Sequence, residues 1–256
     1  MIKGLYAAAS AMVAGMKRQN AIAHNIVNLE TPGFRQILVA MDDWYVSPVR
    51  QTTEEIQPGL DVNHYHKLGY LGLGTQASPE ITDFSQGDVK VTSEELDLAI
   101  NGSGFFRLKT VNGERYSRDG RFRRDTNNNL VNVDGYQVLD VNGQVITLPQ
   151  GAVRVDEQGK IFNRAGTQVA QIGLSTFGDP ENELVRDGLN TFSSTAVPNG
   201  TGGGAIQQGS LEMANANVQQ LMTQMVIVNR AYEAAQRVVQ IQDDIAGKLI
   251  SNLSRL

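Results

Sequence analysis

The sequence predicts an α+β protein: a central antiparallel β-rich domain, with N- and C-terminal helices that pair as a coiled-coil domain. Three observations support this class. All seven prolines lie between Pro32 and Pro198, so both ends lack the residue that most often interrupts a helix. The middle of the chain alternates β-branched or aromatic runs with turn signals. The C-terminal segment carries a sustained seven-residue apolar repeat.

Residues 1–35 are predicted to form the first helix of the coiled-coil domain. Apolar residues recur at intervals of three and four, with one glutamine among them, at Ile2, Leu5, Ala9, Met12, Met16, Gln19, Ala23 and Ile26. Thr31-Pro32-Gly33 ends the helix, because proline cannot donate a backbone hydrogen bond and disfavours the α conformation at the residue before it. A lone helix is marginal in water, so its stripe needs a partner.

Residues 206–256 are predicted to supply that partner as the second helix. One set of heptad core positions comprises Leu211, Val218, Met225, Tyr232, Val239, Ala246 and Leu253, and the other comprises Ala214, Leu221, Val228, Ala235, Gln242, Leu249 and Leu256. The heptads from Leu211 to Leu256 would run to roughly 65–70 Å as a helix, whereas an N-terminal helix of about 28 residues covers only about 42 Å of that length. The uncovered apolar surface favours self-assembly. A helical pair packed on the β domain within one monomer is the alternative.

Between the helices we expect an extended connector over 36–80 and the β-rich domain over 81–205. The segments "LDLAING", "GFFRLKT" and "RYSRDGRFRRD" read as strands. Val-Asp-Gly, Val-Asn-Gly and Glu-Gln-Gly supply hairpin turns. "GTGGGA" at 200–205 lacks the flanking residues of a phosphate-binding loop and is interpreted as a flexible linker.

Composition excludes several classes of function. The net charge of −5 argues against a dedicated nucleic-acid binder. The absence of cysteine excludes disulfides and thiolate chemistry. No run of 18 apolar residues is present, and the first twenty residues are too weakly hydrophobic for a cleaved secretory signal.

The sequence shows no convincing catalytic or metal site, and no cofactor is expected. His64 and His66 could face one side of a strand, but no carboxylate at ligand spacing accompanies them. The loop that begins at Asp125 lacks the glycine and the bidentate acid of a calcium loop and reads as a polar hairpin. Arg118 belongs to an arginine-rich hairpin, interpreted as a solvated face or as a docking surface for an acidic patch on another subunit.

Three segments carry a resemblance to a known family. "LYAAASAMVAGMKRQNAIAHNIVNLETPGFR" resembles the N-terminal signature of bacterial flagellar axial proteins, "LDLAINGSGFFRL" resembles their central β segment, and "GSLEMANANVQQLMTQMVIVNRAYEAAQRVVQIQDDI" resembles their C-terminal signature. The signature residues are Asn25, Asn28, Thr31, Pro32, Gly33, Phe34, Asn217, Arg230 and Glu233. Length and the long connector make the chain most similar to the distal rod protein, and the proximal rod proteins stay open as an alternative.

The resemblance implies a structural subunit of the flagellar basal-body rod, which self-assembles into a helical tubular drive shaft that transmits torque to the hook. It implies as partners the same chain, adjoining rod and hook proteins, the type III export apparatus and surrounding rings, with export without a cleaved signal. Phe34 and Leu38 resemble an export-gate motif. Without the resemblance, a secreted β-rich adhesion module with a coiled-coil stalk is the alternative.

The expected subunit interface is the helical core, consisting of Ile2, Leu5, Met12, Met16, Ile26, Leu211, Val218, Leu221, Met225, Val228, Tyr232, Val239, Leu249 and Leu253. Asn25 and Asn28 are expected to bond free carbonyls at the end of the first helix. Arg230 and Glu233 are three residues apart, so they could pair with each other or with a neighbouring subunit.

Overall fold

The computed structural model describes residues 2–44, 46–52, 65–72 and 74–253. The chain divides into two compact units. The helical unit joins the segments Met1–Ala23, Leu38–Glu80 and Gln219–Leu256, and the β-rich unit joins His24–Ile37 and Ile81–Val218. The predicted α+β class, with a β-rich centre and a helix towards each end, is confirmed.

The helices are α1 (Ile2–Val27), α2 (Pro180–Glu183) and α3 (Val218–Leu253). The strands are β1 (Ile37–Leu38), β2 (Met41–Asp43), β3 (Val46–Thr52), β4 (Tyr65–Gly72), β5 (Thr75–Ala77), β6 (Ile81–Thr82), β7 (Val89–Val91), β8 (Leu98–Asn101), β9 (Phe105–Thr110), β10 (Gly113–Ser117), β11 (Phe122–Arg124), β12 (Leu130–Asn132), β13 (Gln137–Val138), β14 (Arg154–Val155), β15 (Lys160–Phe162), β16 (Gln168–Gln171), β17 (Leu174–Thr176), β18 (Leu184–Arg186), β19 (Thr191–Ser194), β20 (Gly200–Thr201), β21 (Ala205–Gln208) and β22 (Ser210–Glu212). None of the described helices is long and apolar enough to cross a bilayer.

The β-rich unit is built around a nine-stranded antiparallel sheet. Seven strands follow the order β11-β12-β13-β9-β10-β19-β18, and β17 pairs with both β9 and β20. A three-stranded sheet, β14-β15-β16, lies in the same unit. Alternate residues of β8 and β9 join one large apolar core, which includes Leu98, Ile100, Phe106 and Leu108. The other side of β9 contributes Phe105 to a smaller aromatic core.

The predicted hairpins of this unit are confirmed. β9 and β10 pair across Val-Asn-Gly, from Gly113 opposite Thr110 to Ser117 opposite Phe106. Gly135 in Val-Asp-Gly and Gly159 in Glu-Gln-Gly both have positive φ, +86° and +77°, which favours glycine. The loop at Asp125 is the polar hairpin that the sequence predicted, because it joins the paired strands β11 and β12.

The stretch 36–80, predicted as an extended connector, contains paired strands among its described residues. β3 and β4 form a hairpin in which Val46 lies opposite Gly72 and Thr52 opposite Tyr65. β2 and β5 pair before and after it. The sequence did not predict this hairpin, because residues 53–64 have no Asn-Gly or Asp-Gly pair. Of the two candidate metal-binding histidines, His64 lies outside the described residues, and so does the side chain of His66.

The C-terminal helix begins twelve residues later than the predicted start at 206, at Val218. Leu211 lies in β22, which pairs with β7, and Ala214 follows that strand, so neither is a helical core position. "GTGGGA" is not a flexible linker either, because β20 and β21 pair with β17 and β8. A Cβ atom at Gly204 would lie 2.0 Å from the Asn101 carbonyl oxygen, so this approach requires glycine. The positions of Leu211 and Ala214 therefore match the heptad spacing by chance.

Candidate functional site: a buried junction and two helical faces

Two asparagines fasten the last turn of α1. The carboxamide of buried Asn25 donates to the Ile37 carbonyl at 2.8 Å and accepts from the Ile37 N–H at 2.8 Å. Asn28 donates twice to the His24 carbonyl, through Nδ2 at 2.8 Å and through its backbone N–H at 3.3 Å. The backbone N–H of Thr31 donates in turn to the Asn28 carbonyl at 3.1 Å. Asn28 therefore bonds a helix-end carbonyl as predicted, whereas Asn25 binds the strand beyond the turn.

The turn after α1 admits only glycine at its tightest point. Gly33 has φ +70°, and a Cβ atom there would lie 2.3 Å from the Asp119 nitrogen. Its N–H donates to the backbone carbonyl of Glu212 at 2.7 Å. The carbonyl of Pro32 accepts a hydrogen bond from Asn190 Nδ2 at 3.1 Å. The turn is thereby joined to the loop after β10, to β22 and to the β18–β19 hairpin.

Phe34 is the apolar centre of this turn, with no exposed surface. The His24 ring lies 5.5 Å away, centroid to centroid. The guanidinium carbon of Arg186 lies 5.2 Å from the centroid of the Phe34 ring and 5.3 Å from that of Phe192, which is cation–π geometry. Arg186 Nη2 also donates to the carbonyl of Arg35 at 2.6 Å. Arg186 therefore helps to hold Phe34 and the backbone that follows it in place.

A buried carboxylate joins two arginines beside this turn. Glu212 Oε1 lies 2.7 Å from Arg35 Nη2, and Glu212 Oε2 lies 3.0 Å from Arg118 Nη1. The side chains of Glu212 and Arg35 are fully buried, and that of Arg118 nearly so. The N–H of Gly87 donates to Oε1 at 3.0 Å. We call this ion network, together with the Pro32–Phe34 turn, the buried junction. It connects segments from three distant parts of the chain.

The two arginines carry one positive charge more than Glu212 neutralises, and backbone carbonyls accept hydrogen bonds from both of them. Arg35 Nη1 donates to the Ser85 carbonyl and Arg118 Nη2 to the Gly102 carbonyl, each at 2.7 Å. Burial lowers the pKa of Arg118 to about 10, against the opposing effect of Glu212, which favours the charged form. Arg118 stays protonated at neutral pH, so the junction keeps its ionic character.

The interpretation of the arginine-rich hairpin as a solvated face is wrong for Arg118. Arg121 is tied to Asp119 at 2.7 Å, and this hydrogen bond is the main reason that the pKa of Arg121 is raised. Arg123 does lie on the surface. The sequence carried no local signal for the junction, because Glu212 was predicted to lie in a helix, and its need for a cation follows only from its burial in β22.

The buried side of α1 in the helical unit carries mostly small residues. A Cβ atom at Gly4 would lie 3.6 Å from Gln242 Nε2, and one at Gly15 would lie 3.9 Å from Tyr232 Cδ2. The numbering rises along one helix as it falls along the other, so the two helices run antiparallel. The buried residues of α1 within this unit are Ala8, Ala14, Gly15, Ala21 and Ile22. Small side chains permit close helix packing.

The predicted stripe of α1 is therefore wrong in its orientation as an intrachain core. Leu5 is 41 % exposed and Met16 50 % exposed, whereas Met12 and Ile26 are half-buried. The side chain of Ile2 lies outside the described residues. The prediction followed the large apolar residues, and their periodicity alone does not identify which face of α1 meets the partner helix.

α3 has two apolar faces. Leu221 and Val228 are buried, and further positions of the two predicted heptad sets are half-buried, namely Met225, Tyr232, Ala235, Val239, Gln242 and Ala246. A second stripe at the same spacing is exposed, which we call the outer seam: Ile227, Ala231, Ala234, Val238, Ile241 and Ile245. This seam was not among the predicted core positions, although its three-and-four spacing from Ile227 is visible in the sequence.

The remaining predicted positions of α3 vary in setting. Val218 and Leu249 are exposed, and the side chain of Leu253 lies outside the described residues. Arg230 and Glu233 are both exposed, and within the described part of the chain no ion pair joins them. Asn217 directly precedes the helix, at a position where asparagine is favoured as N-cap.

No group of three or more potential metal ligands occurs among the described residues. Phe34 of the export-gate resemblance is fully buried, whereas Leu38 is 46 % exposed. In the folded chain the two residues therefore do not present one continuous accessible motif.

A family model for the flagellar hook protein FlgE/F/G D1 domain matches residues 99–227, about half of the chain. The chain belongs to the flagellar basal-body rod protein family. The C-terminal model of the flagellar basal body rod FlgEFG proteins matches residues 207–253, and the flagella basal body rod protein model matches 5–35. The buried junction draws on all three matched segments, through Gly33, Arg118 and Glu212.

Relatives of the full length agree with this membership. The flagellar basal-body rod protein FlgG of Borreliella burgdorferi is 31 % identical, with 100 % of both chains covered. FlgG of Bacillus subtilis is 30 % identical, also over 100 % of both chains. FlgF of Caulobacter vibrioides is 29 % identical over 100 % of both.

As a FlgG-like member of this family, the chain is a structural subunit of the flagellar basal-body rod and not an enzyme. It assembles in the rod with neighbouring axial proteins. The alternative of a secreted adhesion module receives no support from these relatives.

Proposed function

We propose that this chain polymerises through its terminal helices into a helical tube, which serves as a drive shaft that transmits motor torque to the hook. The observation that carries the proposal is the outer seam of α3, which leaves Ile227, Ile241 and Ile245 exposed in a single chain. A continuous exposed apolar stripe favours burial against another molecule.

The first helix adds a matching outward surface. Leu5, Val13 and Met16 are exposed on α1. Of the interface residues predicted from the sequence, Leu5, Met16, Val218 and Leu249 keep this role. Leu221 and Val228 instead stabilise the single chain, and the outer seam replaces them in the subunit interface.

The energetics suit polymerisation that depends on concentration. Half-burial of each large exposed apolar side chain contributes roughly 1 kcal/mol. Lost rotational freedom and side-chain ordering offset much of that gain. Contacts between different faces generate an open helical polymer, instead of a small ring, when the rotation between successive subunits does not close. A rod that grows from a nucleating end requires this balance.

The proposal includes further partners and a route. The chain occupies the distal part of the rod. Its partners are adjoining rod and hook proteins, surrounding ring proteins and the type III export apparatus. It passes through that apparatus as an unfolded chain, without a cleaved signal. The burial of Phe34 supports export before folding, since the Phe34 and Leu38 pattern is readable together only in the unfolded chain.

A charged outer seam tests the proposal. Ile227→Asp with Ile241→Asp should abolish filaments seen by electron microscopy, because burying two carboxylates between subunits is costly. Far-UV circular dichroism should stay unchanged, because both residues are exposed in the single chain. Val185→Asp, at an exposed valine of the β-rich unit, is the matched control and should still polymerise. Normal filaments from the double variant would refute the proposal.

A further inference from the structure

The helical unit exposes the chain's single tryptophan beside two other large side chains. Trp44 is 65 % exposed, Tyr6 69 % and Val13 58 %. We call these three residues the Trp44 patch. Aromatic residues that stay exposed in this way are the residues most enriched in the energetic centres of protein interfaces.

Backbone contacts fix the position of this patch. The Trp44 N–H donates to the Gly74 carbonyl at 2.9 Å, which extends the pairing of β2 with β5. The Thr75 N–H donates to Ser10 Oγ at 3.1 Å, which fastens β5 to α1. A Cβ atom at Gly74 would lie 2.7 Å from Ser10 Oγ and 3.9 Å from Trp44 Cβ, so the strand approaches the helix closely.

The helix places Tyr6 and Val13 on the face that receives the strand. Tyr6, Ser10 and Val13 occupy positions i, i+4 and i+7, which share one side of an α-helix. The strand pair thus brings Trp44 next to an apolar face of α1 within the same unit. Lys17, exposed and four residues beyond Val13, extends that face with a positive charge.

We propose that the Trp44 patch is the anchor by which a second copy of this chain attaches, with the Trp44 ring packed on the outer seam of that copy's α3. The inference rests on the proposed function, and it names the contact through which the subunits meet.

The chemistry of the outer seam matches the patch. Ile241 and Ile245 offer aliphatic surface to the indole ring. Asp244 is exposed one turn from Ile241, and its carboxylate can accept the indole N–H, which is donor-only. The same carboxylate is complementary in charge to Lys17 at the end of the patch. A surface built from isoleucines beside an acid is therefore present on every copy.

The size of the patch favours a repeated contact in a polymer. A fully buried aromatic side chain covers about 150–250 Å², so Trp44 and Tyr6 at their exposed fractions offer roughly 200–330 Å². A stable two-protein complex needs about 800 Å² from each partner. The patch is too small for a dimer in dilute solution, but it is adequate as one of several contacts that each subunit makes in a filament.

Tryptophan fluorescence of the full-length protein tests the inference directly. On polymerisation the emission maximum should move to shorter wavelength, and the acrylamide quenching constant should fall several-fold, because Trp44 leaves water. The control variant combines Trp44→Phe with Val111→Trp, at a fully exposed hairpin residue of the β-rich unit. Its tryptophan should stay quenchable in filaments, which separates burial of Trp44 from general immobilisation.

Mutation and cross-linking complete the experiment. Trp44→Ala should raise the concentration needed for polymerisation about tenfold or more, the effect of losing an interface anchor, whereas Val111→Ala should leave it unchanged. The chain has no cysteine, so Trp44→Cys mixed with Ile241→Cys should give intermolecular disulfides in filaments. Filaments in which Trp44 stays fully quenchable would overturn this inference alone. Failure of the wild-type chain to form filaments would refute the proposed function, and this inference with it.

Discussion

Replacement of Glu212 by glutamine is expected to destabilise the β-rich unit by about 3–5 kcal/mol, the usual cost of breaking a buried ion pair from one side. The carboxylate lies 2.7 Å from Arg35 and 3.0 Å from Arg118, without exposure to water. Glutamine keeps the volume and one acceptor for the Gly87 N–H, so the change isolates the lost charge. Since whole domains are stable by only about 5–15 kcal/mol, the loss would be large.

Urea unfolding followed by far-UV circular dichroism measures the effect as a free energy of unfolding. Glu114→Gln is the control, because Glu114 pairs with Arg107 at 2.9 Å while 42 % exposed. Surface pairs contribute about 0–1 kcal/mol, so this variant should stay close to wild type. If Glu212→Gln cost no more than Glu114→Gln, the reasoning about the buried junction would be refuted.

Three further outcomes follow from the same structure. Gly33→Ala should cost about 2 kcal/mol or more in urea unfolding, because its φ is +70° and its Cβ atom would overlap Asp119; wild-type stability would show that the turn yields. Leu221→Ala should cost about 2–5 kcal/mol and exposed Met222→Ala less than about 0.5 kcal/mol, so equal losses would contradict the assigned faces of α3. Burial raises the pKa of Asp83, but hydrogen bonds led by the Ser85 N–H outweigh burial, so the pKa is lowered. The ionised carboxylate therefore stabilises the fold, and this stabilisation is lost as pH falls through the lowered pKa. Below about pH 4 the thermal midpoint should fall less for Asp83→Asn than for wild type, and parallel losses in acid would refute this prediction.

The parts of the fold that the sequence predicted are those with local causes. A hairpin such as β9–β10 follows from two adjacent β-prone runs and a glycine turn, all between Phe105 and Ser117. The end of α1 follows from Pro32, and the role of Asn28 follows from its place in the last helical turn. In each case the cause and the structure lie within a few residues of each other.

The parts that the sequence did not predict depend on partners far along the chain. Nothing near Glu212 indicates that Arg35 and Arg118 lie beside it, because sheet pairing alone brings these segments together. The heptad pattern likewise ran through β22, since a three-residue strand can supply an apolar residue at any phase of the repeat. Periodicity identifies apolar positions, but it does not state which surface will cover them.

The orientation of α1 bears on this last point. Burying a leucine or methionine removes more apolar surface from water than burying an alanine, so a helix selected only to stabilise its own chain would turn Leu5 and Met16 inwards. Here the inward face carries Ala8 and Ala14, and the large residues stay in water. The chain gives up intramolecular stabilisation that its own sequence could provide. That arrangement is expected of a helix whose large apolar side chains are reserved for contacts with neighbouring subunits.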